Sequence, residues 1–177
     1  DIMDVASPQG WEKDRELVLK FYNERRQQAK SVEPNPGHTA LVDLEAKYDV
    51  TIITQNVDNL HEKAGSSKVV HLHGELFKSR STLDESLVYD CKGDINLGDK
   101  CVKGAQLRPH IVWFGEMVPM IEIAAGIAAQ ADIFMVIGTS MVVYPAAGLI
   151  NFVGHNVPKF VIDPSKPEVD YIPNVEY

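Results

Sequence analysis

The chain has 177 residues, of which 45% are hydrophobic, so it is long enough to bury one sizeable core. Its formal net charge of -8 argues against a nucleic-acid partner, because nonspecific binding to phosphates requires lysine and arginine. No apolar run approaches the roughly 20 residues that cross a bilayer, which argues against a membrane partner. Two cysteines, Cys91 and Cys101, are too few for a disulfide-rich secreted domain, and we expect a cytoplasmic location.

The first part of the chain predicts two helices. Residues 12 to 30 repeat apolar and basic side chains at spacings of three and four, which is the period of a helix. The prolines and glycine of SVEPNPGH (31 to 38) end it. A second helix is predicted from about Thr39 to Tyr48.

The rest of the chain alternates between strand and helix patterns. Short β-branched runs predict strands at 50 to 54, 110 to 114, 133 to 137 and 159 to 162, with helices at 121 to 130 and 146 to 153. This order indicates an α/β fold with a doubly wound parallel sheet, in which ligands bind at the carboxyl ends of the strands. Residues 78 to 106 are polar and turn-rich, and predict a small inserted module.

A glycine-rich turn of the kind that binds a dinucleotide pyrophosphate is missing. The chain opens with DIMDVASPQGW and offers no such loop. Either the first strand lies outside this fragment or the protein has none. We expect a truncated chain.

TQNVDNLH (54 to 61) directly follows the first predicted strand. Gln55, Asn56 and Asp58 therefore project from a strand's carboxyl end, where amides and a carboxylate can bind an amide or a sugar. An Asx-type turn that caps the next helix explains the same residues equally well.

VVHLHGE (69 to 75) contains His71 and His73. A histidine whose pKa is near 6.5 is a natural base at neutral pH. Either ring could instead bind a metal ion or fill a structural position.

Two further segments lie at the carboxyl ends of predicted strands. VWFGE (112 to 116) offers aromatic walls for a narrow tunnel, although such residues also build ordinary cores. GTS (138 to 140) supplies a turn and two hydroxyls suited to a nucleotide, and is a weak signal on its own.

TQNVDNLH, HLHGE, RPHIVWFGE and VIGTSMVVYPAA, in this order and spacing, resemble the sirtuin family of NAD-dependent protein deacylases over nearly the whole chain. The resemblance implies a Rossmann-type domain with a small inserted helical and zinc-ribbon-like domain. On that basis residues 1–37 form the helical part, 38–77 and 107–177 the Rossmann-type domain, and 78–106 a degenerate zinc-ribbon-like module.

The resemblance also implies that NAD is the cosubstrate, that acyl-lysine proteins or peptides are the partners, and that nicotinamide and O-acyl-ADP-ribose are products. His73, as general base, and Asn56 are the implied catalytic residues. The implied cofactor-binding residues are Gln55, Asn56, Val57, Asp58, Gly138, Thr139, Ser140 and Asp163. The implied acyl-lysine tunnel contains Val112, Trp113, Phe114, Gly115 and Glu116, whereas His71 matches no catalytic role.

FYNERR (21 to 26) narrows the resemblance to bacterial-type class III sirtuins, which remove succinyl and malonyl groups. Tyr22 and Arg25 are three residues apart and share a helix face. A phenol and a guanidinium together can bind a carboxylate. Considered alone, the pair is also compatible with a half-buried core tyrosine and a solvated surface arginine.

The resemblance fails at the metal site. The family carries four zinc-binding cysteines in two CxxC pairs, which matches tetrahedral coordination. Here Ser81 stands about where the first cysteine is expected, only Cys101 is in position, and no CxxC occurs. We therefore expect no metal and a module held by ordinary packing.

Two alternatives to deacylation remain. A mono-ADP-ribosyltransferase would use the same nicotinamide cleavage with another acceptor, and the intact VWFGE segment disfavours it. A non-catalytic NAD or ADP-ribose-binding module should have lost His73 or Asn56, and both are present.

Overall fold

The computed structural model describes residues 1–139, 143–164 and 172–177. The chain forms two compact units, Asp1–Met117 and Val118–Tyr177, and each is described here by itself. Within the described residues, no helix has the length and apolar character that crossing a membrane requires.

The first unit contains four α-helices: α1 (Pro8–Lys13), α2 (Arg15–Lys30), α3 (Pro36–Leu44) and α4 (Leu60–Ala64). The single helix expected over 12 to 30 is therefore two helices. Asp14 separates them, because its backbone leaves the helical region (φ -154°, ψ 84°) and its carboxylate caps α2 by accepting from the N–H of Leu17 at 2.9 Å.

Helix α3 begins and ends earlier than the expected Thr39 to Tyr48. Asn35 and His38 form a reciprocal capping box in front of it, and Pro36 occupies the first turn, where its missing N–H has no cost. The proline that was expected only to end the preceding helix therefore also starts this one.

Two separate sheets lie in the first unit. Strands β1 (Ile52–Thr54) and β2 (Val69–His71) pair in parallel. Strands β3 (Gly74–Ser81), β4 (Val88–Asp90) and β5 (Leu107–Ile111) form an antiparallel sheet in the order β4-β3-β5.

The prediction of a parallel-sheet strand over 110 to 114 is wrong. Strand β5 ends at Ile111 and runs antiparallel to β3, with a register irregularity between Gly74 and Ser79. The chain turns after β5 because Gly115 adopts φ 87° and the Glu116 carboxylate accepts the N–H of Trp113 at 2.7 Å.

Helix α2 packs on the antiparallel sheet and forms the main core of the first unit. Val18, Leu19 and Tyr22 contribute from the helix, and Leu76 and Trp113 from the opposite side. Burial of a large apolar side chain stabilises a fold by about 1.5–3 kcal/mol. The Arg26 guanidinium, which is fully buried, joins the same surfaces by donating from Nε to the Leu76 carbonyl at 2.7 Å.

The second unit combines helix α5 (Ile121–Ala129) with parallel strands β6 (Phe134–Ile137), β7 (Lys159–Ile162) and β8 (Val175–Glu176). The helix expected at 146 to 153 is a 3-10 helix over Ala146–Phe152. Its Ile150 packs with Val136 and Val161 of the sheet. The mixed α/β class is thus confirmed, with parallel pairing in β1-β2 and β6-β7-β8 and antiparallel pairing in β3 to β5.

Candidate active site

His73 lies in the turn between β2 and β3. Gly74, with φ +86°, makes this turn possible, since an added Cβ would collide with the backbone carbonyl of His110. The backbone oxygen of His73 accepts from the N–H of Val112 at 2.9 Å, which ties the turn to the end of β5. The structure therefore fixes His73 between two sheets of the first unit.

The electrostatic surroundings of His73 suit a base. Burial lowers the pKa of this half-buried imidazole, and a hydrogen bond with the backbone of Gln55 opposes the shift only in part. The ring is therefore neutral at physiological pH and able to accept a proton.

Residues 55 to 59 form the loop between β1 and α4. The Asp58 carboxylate accepts from the N–H of Leu60 at 3.0 Å, as the Asx-turn interpretation expects. The N–H of Asn56 donates to the Thr54 hydroxyl at 3.0 Å, which leaves the Asn56 side chain exposed at the carboxyl end of β1. Gln55 and Val57 are half-buried beside it.

His71 holds this loop in place. Its Nε2 lies 2.6 Å from Oε1 of Glu62, and its Nδ1 lies 3.2 Å from the backbone oxygen of Asn56. The two contacts connect β2 to α4 and to the loop. His71 thus has a bracing position, whereas the His73 ring is in contact with the backbone of Gln55.

Tyr22 and Arg25 differ sharply in exposure. The Tyr22 side chain is 5% exposed, and its hydroxyl oxygen accepts from Nε1 of Trp113 at 3.1 Å. Burial raises the pKa of Tyr22, so the phenol stays protonated. Arg25 is exposed on the next turn of α2, with its guanidinium 4.6 Å from the centroid of the Phe21 ring.

The VWFGE segment is braced from within. Glu116 accepts from Nη1 of Arg108 at 2.7 Å and from Nη2 of Arg80 at 3.4 Å. Burial would raise the pKa of Glu116, but hydrogen bonds from Arg108 and the Trp113 backbone hold it below its usual value. Glu116 is therefore ionised, and its carboxylate serves the fold of the segment.

Phe114 is the large apolar side chain that this segment exposes, with 53% of its surface accessible. Val112 is half-buried and Gly115 is exposed, whereas Trp113 is buried. Of the residues assigned to the tunnel, Val112, Phe114 and Gly115 are accessible to solvent, whereas Trp113 is buried and Glu116 is held by Arg108 and Arg80.

Sequence reasoning missed that Arg80 and Arg108 brace the candidate site through Glu116. Both guanidiniums are buried, at 4% and 8% exposure, and both pair with Glu116. An arginine next to an apolar strand could have indicated them, because a cation that is buried in such a place requires a partner of opposite charge.

In the second unit, the nucleotide candidates follow neighbouring parallel strands. Gly138 comes after β6 with φ +61°, and its N–H donates to the Ile162 carbonyl at 2.9 Å. Because Ile137 pairs with Ile162, Thr139 and Asp163 leave the sheet at the same edge. Ser140 lies outside the described residues.

The described side chains of residues 78 to 106 do not fit a structural zinc ion. Ser81 hydrogen-bonds to Cys101 and lowers the pKa of its thiol, but the nearby Asp84 carboxylate is paired with Nζ of Lys103 at 2.7 Å. The positive charge of Lys103 beside these side chains opposes the binding of a divalent ion, and a structural zinc site needs four ligands. No group of three or more metal-ligating side chains occurs in 1–139, 143–164 or 172–177.

We expect the purified protein to contain no stoichiometric zinc. Metal analysis by mass spectrometry, with and without prior treatment with a chelator, measures this, and the melting temperature should be the same in both samples. About one zinc per chain, or a fall in melting temperature after chelation, would contradict the expectation.

These features define a class of mixed α/β proteins. The first unit has a neutral histidine in a turn and a loop with amide side chains after a parallel strand. The second unit has a parallel sheet, and a nucleotide could bind at the ends of its strands. The model of the Sir2 family matches residues 1–145. A protein of Helicobacter pylori (strain ATCC 700392 / 26695), named NAD-dependent protein deacylase, is 51% identical over 176 residues, which are 99% of this chain and 77% of that protein.

Another NAD-dependent protein deacylase, of Aggregatibacter actinomycetemcomitans, is 51% identical over 93% of this chain and 79% of its own length. Among solved structures, a Sir2 homolog in complex with NAD has a TM-score of 0.88 and 37% identity, and covers 98% of this chain and 70% of its own. Sir2Tm bound to a propionylated peptide has a TM-score of 0.84 and 30% identity, with coverage of 99% and 78%.

The chain belongs to the Sir2 family. The sequence-based assignment to bacterial NAD-dependent protein deacylases is confirmed.

Proposed function

We propose that this protein removes succinyl and malonyl groups from protein lysines with consumption of NAD, and acetyl groups less efficiently. The observation that carries the acidic preference is the pair Tyr22 and Arg25 on one face of α2. The phenol is kept protonated by burial, and the guanidinium one turn later is exposed. A carboxylate between them would receive one hydrogen bond and one charge-assisted hydrogen bond.

In the proposed reaction, the acyl oxygen of the substrate attacks the ribose carbon of NAD as nicotinamide leaves. His73 then takes the proton of a ribose hydroxyl, which attacks the resulting alkylimidate. The lowered pKa of His73 supports this role, because the base must be neutral before the transfer. The lysine amine then leaves the resulting cyclic intermediate as one water adds to it. One acyl-lysine, one NAD and one water thus give one nicotinamide, one free lysine and one O-acyl-ADP-ribose.

The remaining candidate residues are assigned according to the part of NAD that each would bind. We assign the nicotinamide and its ribose to Gln55, Asn56, Val57 and Asp58, and the adenosine half to Gly138, Thr139 and Asp163, with Ser140 next to them in sequence. Solved relatives bound to NAD and to a propionylated peptide support NAD and an acylated peptide as substrates.

We also propose the four-part organisation expected from the sequence. Residues 1–37 are the helical part, 38–77 and 107–177 belong to the Rossmann-type domain, and 78–106 are a zinc-ribbon-like module. The antiparallel pairing of β3 with β4, and the contact between Ser81 and Cys101, support a zinc-ribbon-like shape held without zinc.

The test is a competition assay of the full-length protein with NAD and equal amounts of succinyl-lysine and acetyl-lysine peptides of one sequence. Mass spectrometry follows both deacylated products. We expect a higher kcat/KM for the succinyl peptide and no turnover without NAD. Turnover of the acetyl peptide alone would reject the acidic preference, and turnover of neither would reject the proposed function.

A further inference from the structure

The Tyr22 hydroxyl is a hydrogen-bond acceptor as well as a candidate donor. Its oxygen accepts from Nε1 of Trp113 at 3.1 Å, a buried contact between residues 91 positions apart in the chain. An indole N–H can only donate. The phenol must therefore use a lone pair for Trp113 and keep its own hydrogen for another partner.

The direction of that hydrogen is restricted. A phenolic O–H bond lies in the plane of the ring because the oxygen is conjugated with it, so the hydrogen has two favourable positions. The indole N–H blocks a hydrogen that points toward Trp113 and favours the position that points away from it. Among the residues that the structure describes, no acceptor for the Tyr22 hydrogen is found.

Trp113 is itself held from three directions. The Arg108 guanidinium carbon lies 3.3 Å from the centroid of the Trp113 ring, and the backbone N–H of Trp113 donates to Glu116 at 2.7 Å. Arg108 and Glu116 are joined by two hydrogen bonds, at 2.7 and 3.1 Å. Trp11 packs against the Trp113 ring, with centroids 5.7 Å apart.

The charges around Tyr22 favour an anionic partner. Burial keeps the phenol protonated, although Arg108 and Arg25 act on it as positive charges, and the Glu116 carboxylate acts on it as a negative charge. Because Arg108 is paired with Glu116, the cation left for a ligand is Arg25, and a neutral O–H donor near it is suited to a carboxylate and offers less to an uncharged methyl group.

We propose that Trp113 is a positioning residue for acyl specificity: its indole N–H orients the Tyr22 hydroxyl so that the hydroxyl donates to the carboxylate of an acidic acyl group. The Arg108–Glu116 pair keeps the indole at the required angle. Trp113 acts on the acyl group through Tyr22, and the inference rests on the proposed acidic-acyl preference.

The variant Trp113→Phe removes the N–H and keeps an aromatic ring. We expect the ratio of kcat/KM for succinyl-lysine to kcat/KM for acetyl-lysine to fall about tenfold, which corresponds to the loss of one buried hydrogen bond. Trp11→Phe is the matched control: it removes an indole from the same core, keeps an aromatic ring against Trp113, and breaks no hydrogen bond with Tyr22 among the described residues. Its ratio should stay within twofold of the parent.

A double-mutant cycle separates orientation from packing. In a Tyr22→Phe background, Trp113→Phe should change the ratio less than twofold, because the hydroxyl that it orients is gone. If Trp113→Phe unfolds the protein, benzothienylalanine at position 113 replaces the N–H by sulfur in a ring of almost the same shape. The same tenfold fall is expected.

The outcomes distinguish the inference from the function on which it rests. An unchanged ratio in a folded Trp113 variant, or a fall that adds fully to that of Tyr22→Phe, overturns the role of Trp113 while the parent's succinyl preference stands. A parent without succinyl preference overturns both.

Discussion

Replacement of His73 by glutamine is expected to lower kcat/KM for succinyl-lysine and acetyl-lysine peptides alike, by about 100-fold to 10,000-fold, the usual contribution of a general base. Glutamine can donate and accept hydrogen bonds but cannot take up the proton. Formation of the deacylated peptide at steady state, followed by liquid chromatography, measures the loss, because His73 acts after nicotinamide has left. NAD binding, measured by calorimetry, should change little.

The pH profile of the parent provides an independent check of His73. Because burial lowers the pKa of this ring, the neutral base persists below the ordinary histidine value of 6.5, and activity should fall only as pH drops through the lowered pKa. The exposed His155 gives a matched control as His155→Gln, which should leave turnover unchanged. His73→Gln turnover near the parental rate would remove His73 from the mechanism.

The second large effect is expected at Arg25. Arg25→Met keeps the length of the side chain and removes its charge, so the kcat/KM for succinyl-lysine should fall about 10-fold to 100-fold relative to that for acetyl-lysine. This range corresponds to one charge-assisted hydrogen bond of about 1.5–3 kcal/mol. The competition assay with both peptides measures the ratio directly.

Lys20→Met is the control for Arg25. Lys20 is exposed on the same helix, and its loss changes the net charge by the same amount. For Lys20→Met, the ratio of kcat/KM for succinyl-lysine to kcat/KM for acetyl-lysine should equal that of the parent. Equal losses on both substrates in Arg25→Met would show that Arg25 supports the fold and does not recognise the acyl carboxylate.

The sequence predicted the elements better than their pairing. The β-branched runs at 50 to 54, 133 to 137 and 159 to 162 correspond to β1, β6 and β7. The run at 110 to 114 was assigned to a parallel sheet, whereas β5 pairs antiparallel with β3. Local composition indicates that a strand is buried. Whether its partner strand runs parallel or antiparallel depends on contacts between residues that are distant in the sequence.

For the site as well, the sequence predicted positions along the chain better than contacts between side chains. The loop of Asn56 follows a strand, as its motif predicts, whereas strand β2, which precedes His73, was not predicted. The bond between Trp113 and Tyr22, and the pairing of Arg108 with Glu116, could not be predicted. The first joins two side chains that only the packing of α2 against the turn after β5 brings together. The second depends on the turn that folds Glu116 back toward β5.

The proposed transfer of the acyl group from lysine to ADP-ribose can be tested by product stoichiometry. In one incubation of the protein with NAD and a succinyl-lysine peptide, nicotinamide, free-lysine peptide and O-succinyl-ADP-ribose are quantified together by mass spectrometry. We expect one molecule of each per turnover. Nicotinamide release with ADP-ribose attached to protein or peptide, and with the succinyl group still on lysine, would contradict the account.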